Sequence, residues 1–364
     1  MEILTMAAPF LMVLLSCYLL KHLCDQFEIG ANFLGRNMPA GVKGATINAA
    51  GSSMPEMFTV VACLFFFNDP QMVLVGLGVT AGSAIFNGCV IPALAILMAK
   101  DKNGRKVRSI SLDKSALLRD LFWVFAAEIT LVLLLGFNSI TIASVLLLNA
   151  IYVGYAIHLY IDAKRHGTNV VEEYEEESVE PSSLGVLGDV MKFNFYNLIF
   201  KNRGLNTMSA IVVLGLAIIG ISAASHLLVE GIVGSAAVLG IPAFFSGMVL
   251  GAAASSIPDL ILSVKDAQKG EYEDAVANPL GSNTFDTTVA LALPLLVWFL
   301  INGVDSLPLQ QDGALTMLRV SIIAVTLGVA ASLVLKYKNI THGVAYTLLG
   351  IFAVWLGFVV YLLG

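Results

Sequence analysis

Three acidic residues lie inside long apolar stretches of the sequence, where their side chains could bind cations. They are Glu56, Asp259 and Asp286, and no lysine or arginine stands near the middle of these stretches to pair with them. An ionised side chain at the centre of a bilayer costs about 3 kcal/mol on insertion scales. We therefore expect bound cations, either protons or metal ions, to neutralise these carboxylates.

The residues that precede two of the acids add neutral oxygen ligands. Residues 52–56 read Ser-Ser-Met-Pro-Glu, and residues 255–259 read Ser-Ser-Ile-Pro-Asp. Each proline removes an amide donor and kinks its helix, so that backbone carbonyl groups become free to line a cavity or bind an ion. Oxygen ligands without histidine or cysteine are those of a hard cation such as Ca²⁺, which takes about six to eight of them. The two motifs therefore predict a hard-cation site.

A second motif is also repeated, and it contains the third acid. Residues 82–87 read Gly-Ser-Ala-Ile-Phe-Asn, and residues 281–286 read Gly-Ser-Asn-Thr-Phe-Asp. Glycine lets two helices approach closely, and a serine shares a helical face with the residue four positions later. We expect these residues to point into the same cavity as the first motifs. The predicted centre is pseudo-symmetric, with Asn87 opposite Asp286, and holds three potential negative charges.

The elements that must position these motifs are membrane-spanning helices. The chain is 57% hydrophobic and only 13% charged, whereas soluble domains carry roughly 25% charged residues. Its apolar runs have the length of about 20 residues that crosses the roughly 30 Å hydrocarbon core as a helix. The fold class is therefore predicted to be an all-α polytopic membrane protein. Spans are expected near residues 4–24, 38–66, 70–99, 115–136, 139–162, 207–229, 234–267, 273–301, 314–335 and 342–363.

The spans form two sets of five, and the repeated motifs fall in corresponding spans. The predicted units are a first repeat at 1–162, an acidic linker at 163–206 and a second repeat at 207–364. An odd number of spans turns the second copy upside down, as in many secondary transporters. The sequence therefore predicts ten transmembrane helices as two inverted five-helix repeats. Within the linker, residues 184–200 are amphipathic and predict an interfacial helix.

The basic residues predict the orientation in the membrane. Nearly all of them fall in loops that follow odd-numbered spans, and only Arg319 falls on the opposite side. By the positive-inside rule, both termini face outward and the linker is cytoplasmic. The small size of the loops favours a prokaryotic plasma membrane. We expect the lipid bilayer and inorganic cations as partners, no nucleic acid, and a monomer.

The four motifs resemble those of the cation/Ca²⁺ antiporter superfamily, specifically the Na⁺/Ca²⁺ exchanger family. The sequence is most similar to the K⁺-dependent members, which carry aspartate in the second Ser-x-Pro-acid motif and again in Gly-Ser-Asn-x-Phe-Asp, as this chain does at Asp259 and Asp286. The resemblance implies Ca²⁺ ligands at Glu56, Asp259, Ser52 and Ser255. It implies Na⁺ or K⁺ ligands at Ser53, Ser83, Asn87, Ser256, Ser282 and Asp286, with backbone carbonyl groups near Ala49 and Ala252.

The resemblance also implies a function. A secondary active antiporter would exchange Ca²⁺ for Na⁺ by alternating access, without being an enzyme and without a resident cofactor. Proton-coupled Ca²⁺ exchangers usually carry Gly-Asn-x-x-Glu, so Ser-x-Pro-acid favours Na⁺, and an H⁺-coupled cation exchanger is the alternative. Co-transport of K⁺, which would involve Asp286, is left open, because K⁺-independent prokaryotic relatives share this aspartate. Glu128 is an unrepeated acid that we expect to be protonated or bonded to a neighbouring helix.

Overall fold

The computed structural model describes residues 2–36, 49–67, 72–165, 185–200, 205–309 and 311–363. The first half contains the helices α1 (Glu2–Leu34), α2 (Ala49–Ser52), α3 (Met54–Phe65), α4 (Met72–Met98), α5 (Lys114–Leu134) and α6 (Ile142–Arg165). Two short helices, α7 (Gly185–Met191) and α8 (Phe195–Phe200), follow. The second half contains α9 (Thr207–Leu239), α10 (Ala243–Ser246), α11 (Ala252–Ser255), α12 (Ile257–Lys269), α13 (Tyr272–Phe285), α14 (Leu291–Asn302), α15 (Gly313–Val334) and α16 (His342–Leu363).

Two segments of π-helix and four short strands complete the described structure. The π-helices, Gly247–Gly251 and Asp286–Ala290, join α10 to α11 and α13 to α14. The strands are β1 (Ser109–Ile110), β2 (Ser139–Thr141), β3 (Ser306–Pro308) and β4 (Ile340–Thr341).

The strands join the two halves of the chain at opposite ends of the molecule. β1 pairs with β4 and β2 pairs with β3, both antiparallel. α5 runs from β1 to β2, and α15 runs from β3 to β4, so these two helices run in opposite directions. The β1–β4 end, which we call the basic end, also holds the turn between α12 and α13, where the Lys100 amide donates to the Ala267 carbonyl at 3.0 Å. The basic residues of this end are Lys100, Lys102, Arg105, Lys106, Arg108, Lys265, Lys269, Lys336 and Lys338.

α1 and α9 have 33 residues each and pack against one another in antiparallel directions. Small residues allow this close approach, because a Cβ atom at Gly30 would lie 2.9 Å from the Ala210 carbonyl oxygen, and one at Gly231 would lie 3.0 Å from that of Pro9. A helix of this length is about 50 Å long, well beyond the hydrocarbon core. The spans predicted at 4–24 and 207–229 are therefore shorter than the helices that contain them.

The helices α5 and α15 begin with equivalent aspartate caps. Asp113 accepts a hydrogen bond from the Ala116 amide, and Asp312 accepts one from the Leu315 amide, both at 2.8 Å. We predict that Asp113→Ala and Asp312→Ala each lower the free energy of unfolding by about 1 kcal/mol, because each leaves an amide of the first turn unpaired. Thermal unfolding in detergent measures the loss, and the matched Asn and Ser variants, which can still cap, should recover most of it. Equal stability of the Ala and Asn variants would contradict the prediction.

Seven helices of the described residues are long and apolar enough to cross a membrane. The number is eight if Ala243–Ser255 and Ile257–Lys269, which are bent by 41°, form one span. The prediction of ten spans exceeds this number at two places. α3 has only 12 residues, and residues 37–48, which precede Ala49, lie outside the described part. The prediction of a multi-pass helical membrane protein is confirmed, whereas the arrangement of ten spans stays a prediction.

The second predicted span that is missing from this number is α5, an otherwise apolar helix that carries charged residues. Arg119 donates to Asp120 at 2.9 Å and to Asp162 of α6 at 2.6 Å. Pairing of this kind is how charged side chains are tolerated at membrane depth. α5 can therefore cross a bilayer although Arg119, Asp120 and Glu128 lie within it.

The predicted interfacial helix at 184–200 differs from the structure. Two short helices, α7 and α8, replace it, and they meet at Phe193, which has a positive φ of 52°. Asn194 donates to the Asp189 carboxylate at 3.1 Å across this break. A residue with positive φ interrupts the helical hydrogen bonds, so one continuous helix is wrong here. The acidic run at 172–180 lies outside the described residues.

Candidate cation site

Two interrupted helices place Glu56 and Asp259 at the middle of the molecule. α3 begins immediately after Ser53 and α12 immediately after Ser256, and each has its proline and its acid in the first turn. The two helices run to opposite ends, and Asp259 lies about 15 Å from the Lys269 end of α12 at 1.5 Å per residue. The amide groups of a helix N-terminus favour negative charge. The breaks therefore bring two positive helix ends to two buried carboxylates.

The helix α4 connects all three acids through two polar side chains one turn apart. Ser83 Oγ lies 3.2 Å from Glu56 Oε1 and 2.8 Å from Asp286 Oδ2. Asn87 Nδ2 lies 3.4 Å from the same Asp286 oxygen and 3.5 Å from Asp259 Oδ2. All five side chains are fully buried. The residues that the sequence predicts to share a cavity are thus brought together.

The serines of each repeat reach the acid of the other repeat. Ser256 Oγ donates to Glu56 Oε1 at 3.1 Å, and Ser52 lies beside Asp259. Asp259 also accepts a hydrogen bond within its own repeat, from Ser282 Oγ to Oδ1 at 2.8 Å. The two motifs therefore form one site at the interface of the repeats rather than two separate sites.

Several oxygens at this site have no hydrogen-bond donor among the described residues. They are Glu56 Oε2, Asp286 Oδ1, Asn87 Oδ1 and Ser53 Oγ. In the described part of the chain, none of the ion pairs involves Glu56, Asp259 or Asp286. Buried acceptors without donors are costly, so this oxygen-lined centre fits a cation.

Carboxylates alone do not form the ligand set. In the described structure, no three Asp, Glu, His or Cys side chains converge closely enough to hold a metal by themselves. A bound cation would therefore combine carboxylate oxygens with hydroxyl and amide oxygens. Such mixed oxygen ligands suit Ca²⁺ and the alkali cations.

Ala49, Ala252 and Ser255, which the sequence also predicts as ligands, lie in the short helices before the breaks. Ala49 begins α2 and Ala252 begins α11, so both backbones are helical. The Ala252 carbonyl oxygen already accepts from the Ser256 amide at 3.1 Å and from Ser255 Oγ at 3.3 Å. Ser255 is buried beside Glu56. These contacts leave the side-chain oxygens as the better-placed ligands in the second repeat.

Gly82 provides the close approach that its motif predicts. A Cβ atom at this position would lie 2.1 Å from the Met248 carbonyl oxygen and 2.8 Å from the Ala252 Cβ atom. Met248 belongs to the first π-helix, and the second π-helix begins at Asp286. Single π turns are frequent at functional sites. Here they lie at two places where the second repeat meets α4.

Sequence reasoning missed several polar residues of the second repeat. Asn278 Nδ2 contacts Ser263 Oγ at 3.1 Å and Asp259 Oδ1 at 3.5 Å. Asn283 donates to the carbonyl of Ala84 at 2.9 Å, which joins the two repeats. The signal that could have revealed Asn278 is its position one turn before Ser282, on the same helical face.

Glu128 of α5 lies apart from these residues. It is buried, both of its carboxylate oxygens lack a hydrogen-bond donor among the described residues, and Thr326 of α15 lies beside it. An unpaired acid in an apolar surrounding is most stable in its protonated form. Contact with a neighbouring helix and protonation therefore remain our interpretation of this residue.

The helix arrangement and the oxygen-lined centre with three acids are those expected of a membrane transporter of cations, and comparisons with known proteins agree. A family model described as "Sodium/calcium exchanger protein" matches residues 8–161 and 209–361. This match covers more than half of the chain. The chain therefore belongs to the sodium/calcium exchanger family, a transporter family and not an enzyme family.

Individual relatives are similar over different lengths. Human sodium/potassium/calcium exchanger 1 is 45% identical over 75 residues, which cover 21% of this chain and 7% of that protein. Chicken sodium/potassium/calcium exchanger 2 is 39% identical over 95 residues, 25% of this chain and 15% of that protein. The match thus spans only a small part of these curated relatives. An uncharacterized membrane protein of Methanocaldococcus jannaschii is 28% identical over 285 residues, 77% of this chain and 79% of that protein.

Two solved structures share the fold over nearly the whole chain. The H⁺/Ca²⁺ exchanger CAX has a TM-score of 0.70 at 19% identity, with 96% of this chain and 81% of that chain covered. The sodium-calcium exchanger NCX_Mj has a TM-score of 0.56 at 20% identity, with 97% of this chain and 98% of that chain covered. At these identities the likeness concerns the fold alone.

Proposed function

We propose that this protein is a secondary active antiporter that exchanges Ca²⁺ for Na⁺ across a membrane. The observation that carries the proposal is the centre in which Ser83 and Asn87 link Glu56, Asp259 and Asp286 without a basic partner. Three buried carboxylates need compensating positive charge. Ca²⁺ or several Na⁺ ions supply it, and both are bound by oxygen ligands.

The proposed ligands divide into two groups. Ca²⁺ binds to Glu56 and Asp259 with Ser52 and Ser255. Na⁺, and K⁺ if it is co-transported, binds in the flanking positions. These positions are Ser53, Ser83, Asn87, Ser256, Ser282 and Asp286, with the backbone carbonyl groups of Ala49 and Ala252. Because side chains of the two groups lie within hydrogen-bonding distance of one another, occupancy by one kind of ion excludes the other.

We propose that the protein crosses the membrane ten times as two inverted five-helix repeats. The antiparallel pairing of β1 with β4 and of β2 with β3 supports this topology, because it places equivalent helices of the two halves in opposite directions. The concentration of basic residues at the basic end supports a cytoplasmic position for that end. Both termini would then face outward.

Alternating access follows from the charge of the centre. A loaded centre is neutralised, so the helices that precede the motifs can slide and expose it to the other side. An empty centre keeps bare carboxylates in an apolar surrounding, and that state is costly. The unloaded protein therefore crosses slowly, and exchange is enforced.

Flux of radiolabelled Ca²⁺ in proteoliposomes tests the proposal, with Na⁺, K⁺ and pH gradients imposed separately. We expect Ca²⁺ uptake driven by an outward Na⁺ gradient and none driven by a pH gradient in Na⁺-free medium. Uptake that ignores the Na⁺ gradient and follows the pH gradient would instead establish the H⁺-coupled exchanger.

Asp286→Asn is predicted to alter the response to K⁺. Its first-repeat equivalent is Asn87, so the substitution gives both halves the same neutral amide and removes one of three negative charges. Weaker electrostatic attraction should reduce any K⁺ stimulation of Ca²⁺ flux about tenfold, and this loss should exceed the loss of Na⁺-driven Ca²⁺ exchange. Titration of K⁺ at fixed Na⁺ and Ca²⁺ measures this. An unchanged K⁺ stimulation in the variant would contradict a role of Asp286 in K⁺ binding.

A further inference from the structure

Two further polar side chains, those of Ser263 and Asn278, lie next to Asp259 and are not among the ligands proposed above. Ser263 lies one turn after Asp259 on α12, and Asn278 lies one turn before Ser282 on α13. Asn278 Nδ2 contacts both Ser263 Oγ, at 3.1 Å, and Asp259 Oδ1, at 3.5 Å. α12 ends and α13 begins at the basic end, so this pair extends the site toward that end.

The first repeat has no such extension. Alignment of the repeated motifs places Val60 opposite Ser263 and Val79 opposite Asn278. Both valines are 0% exposed. Val60 lies against Gly76 of α4, and Val79 lies against Gly247 and Gly251 of the first π-helix. These two positions are therefore polar in the second repeat, toward the basic end, and apolar in the first repeat, toward the opposite end.

The basic end also holds a cleft that reaches the site. α1, α2 and α12 line it, with Asp25 and Glu28 near its mouth and Ser52 and Pro258 at its inner end. Asn278 is half-buried, whereas Asp259 and Ser282 are fully buried. Neither Ser263 nor Asn278 lines this cleft. The half-buried Asn278 is instead a second place at which the ligands of Asp259 come near the surface, between α12 and α13.

The chemistry of the pair fits a transient cation ligand. An amide and a hydroxyl can each donate to a carboxylate or offer an oxygen to a cation. In the described contacts, the Asn278 amide nitrogen faces Asp259 and partly compensates its charge. When a cation approaches, rotation of the amide and of the Ser263 hydroxyl presents two neutral oxygens beside the Asp259 carboxylate.

We infer that Ser263 and Asn278 form an entry subsite for Ca²⁺ or Na⁺ on the basic-end side of Asp259, without a counterpart on the opposite side. This inference rests on the proposed function. A cation that enters from the basic end binds there first and moves on to the buried ligands, while the equivalent positions on the other side, Val60 and Val79, offer no ligand oxygen. The apparent affinity for a cation that enters from the basic end therefore depends on Asn278, whereas the apparent affinity from the opposite side does not.

The test is the concentration of Ca²⁺ that gives half-maximal exchange, measured separately from each side in vesicles of one protein orientation. Asn278→Val introduces the first-repeat residue and should raise this value about tenfold on the basic-end side, with no change on the other side. Val79→Ala is the matched control at the equivalent position, and it should leave the basic-end value unchanged. If Asn278→Val does not insert, Ser263→Ala is the second variant, with the same one-sided effect expected.

The outcomes separate this inference from the proposed function. Equal shifts on both sides, or no shift on either side, would overturn the entry subsite while Na⁺-driven exchange by the unaltered protein still stood. Absence of Na⁺-driven Ca²⁺ exchange in the unaltered protein would remove the proposed function first.

Discussion

Replacing Asp259 by asparagine is expected to reduce the rate of Ca²⁺ transport at least a hundredfold. Loss of one partner of a buried charge pair costs about 2–5 kcal/mol, and each factor of ten corresponds to about 1.4 kcal/mol. Asparagine has nearly the same shape and can still accept the hydrogen bond from Ser282, which lies 2.8 Å from the carboxylate. The substitution therefore removes the charge and leaves the packing. Glu56→Gln should have a similar effect, because Glu56 is the equivalent acid of the first repeat. Initial rates of Na⁺-driven Ca²⁺ uptake in proteoliposomes measure both.

The matched control is Asp189→Asn, which makes the same substitution at another buried aspartate. Asp189 lies in α7, far along the chain from the motifs, so the control should transport Ca²⁺ at a nearly normal rate. Transport by Asp259→Asn at the rate of this control would refute the assignment of Asp259 as a cation ligand. Equal loss in all variants would point to misfolding, which size-exclusion chromatography in detergent detects separately.

Gly82→Ala is expected to have the second large effect. The added methyl group would lie 2.1 Å from the Met248 carbonyl oxygen and 2.8 Å from Ala252, so α4 must move away from the second repeat. Overpacking commonly costs about 1–3 kcal/mol, and here backbone atoms on both sides resist the shift. The displacement also moves Ser83, which bridges Glu56 and Asp286. We therefore expect lower stability and loss of Ca²⁺ transport together.

Gly215→Ala provides the control for this substitution. Gly215 lies in α9, where a Cβ atom would meet nothing within 4 Å. Alanine is the better helix former, so stability and transport should be unchanged or slightly higher. A Gly82→Ala protein that matches Gly215→Ala in thermal unfolding and in Ca²⁺ flux would show that the close approach of α4 is not needed.

The centre of this site could be predicted from the sequence because burial of charge is a strong constraint. Glu56 and Asp259 stand in apolar runs after a proline, and the structure breaks its helices next to these positions. The four-residue spacing of Ser83 and Asn87 places both on one helical face, and both contact Asp286. These features depend on local spacing and on repetition, which a single sequence displays.

Other features depend on contacts between distant residues, which the sequence does not display. Ser263 and Asn278 lie near the middle of α12 and α13, outside the repeated motifs, and only the packing of these helices brings them together. The π-helix that begins at Asp286 has no local sequence signal. α1 extends beyond its apolar run through polar residues, among which Lys21 and Asp25 form an ion pair one turn apart. Apolar runs therefore locate spans better than they locate helix ends.

The pairing of β1 with β4 has a consequence for biosynthesis. Ser109 lies opposite Thr341, so the ribosome has to deliver most of the second repeat before the earlier strand meets its partner. Until then, the amino-terminal half exposes an unpaired strand edge, a site that favours mispairing with other chains. Both halves must therefore be synthesised before either reaches its final form, and a nascent chain that stalls between them would be a target for quality control.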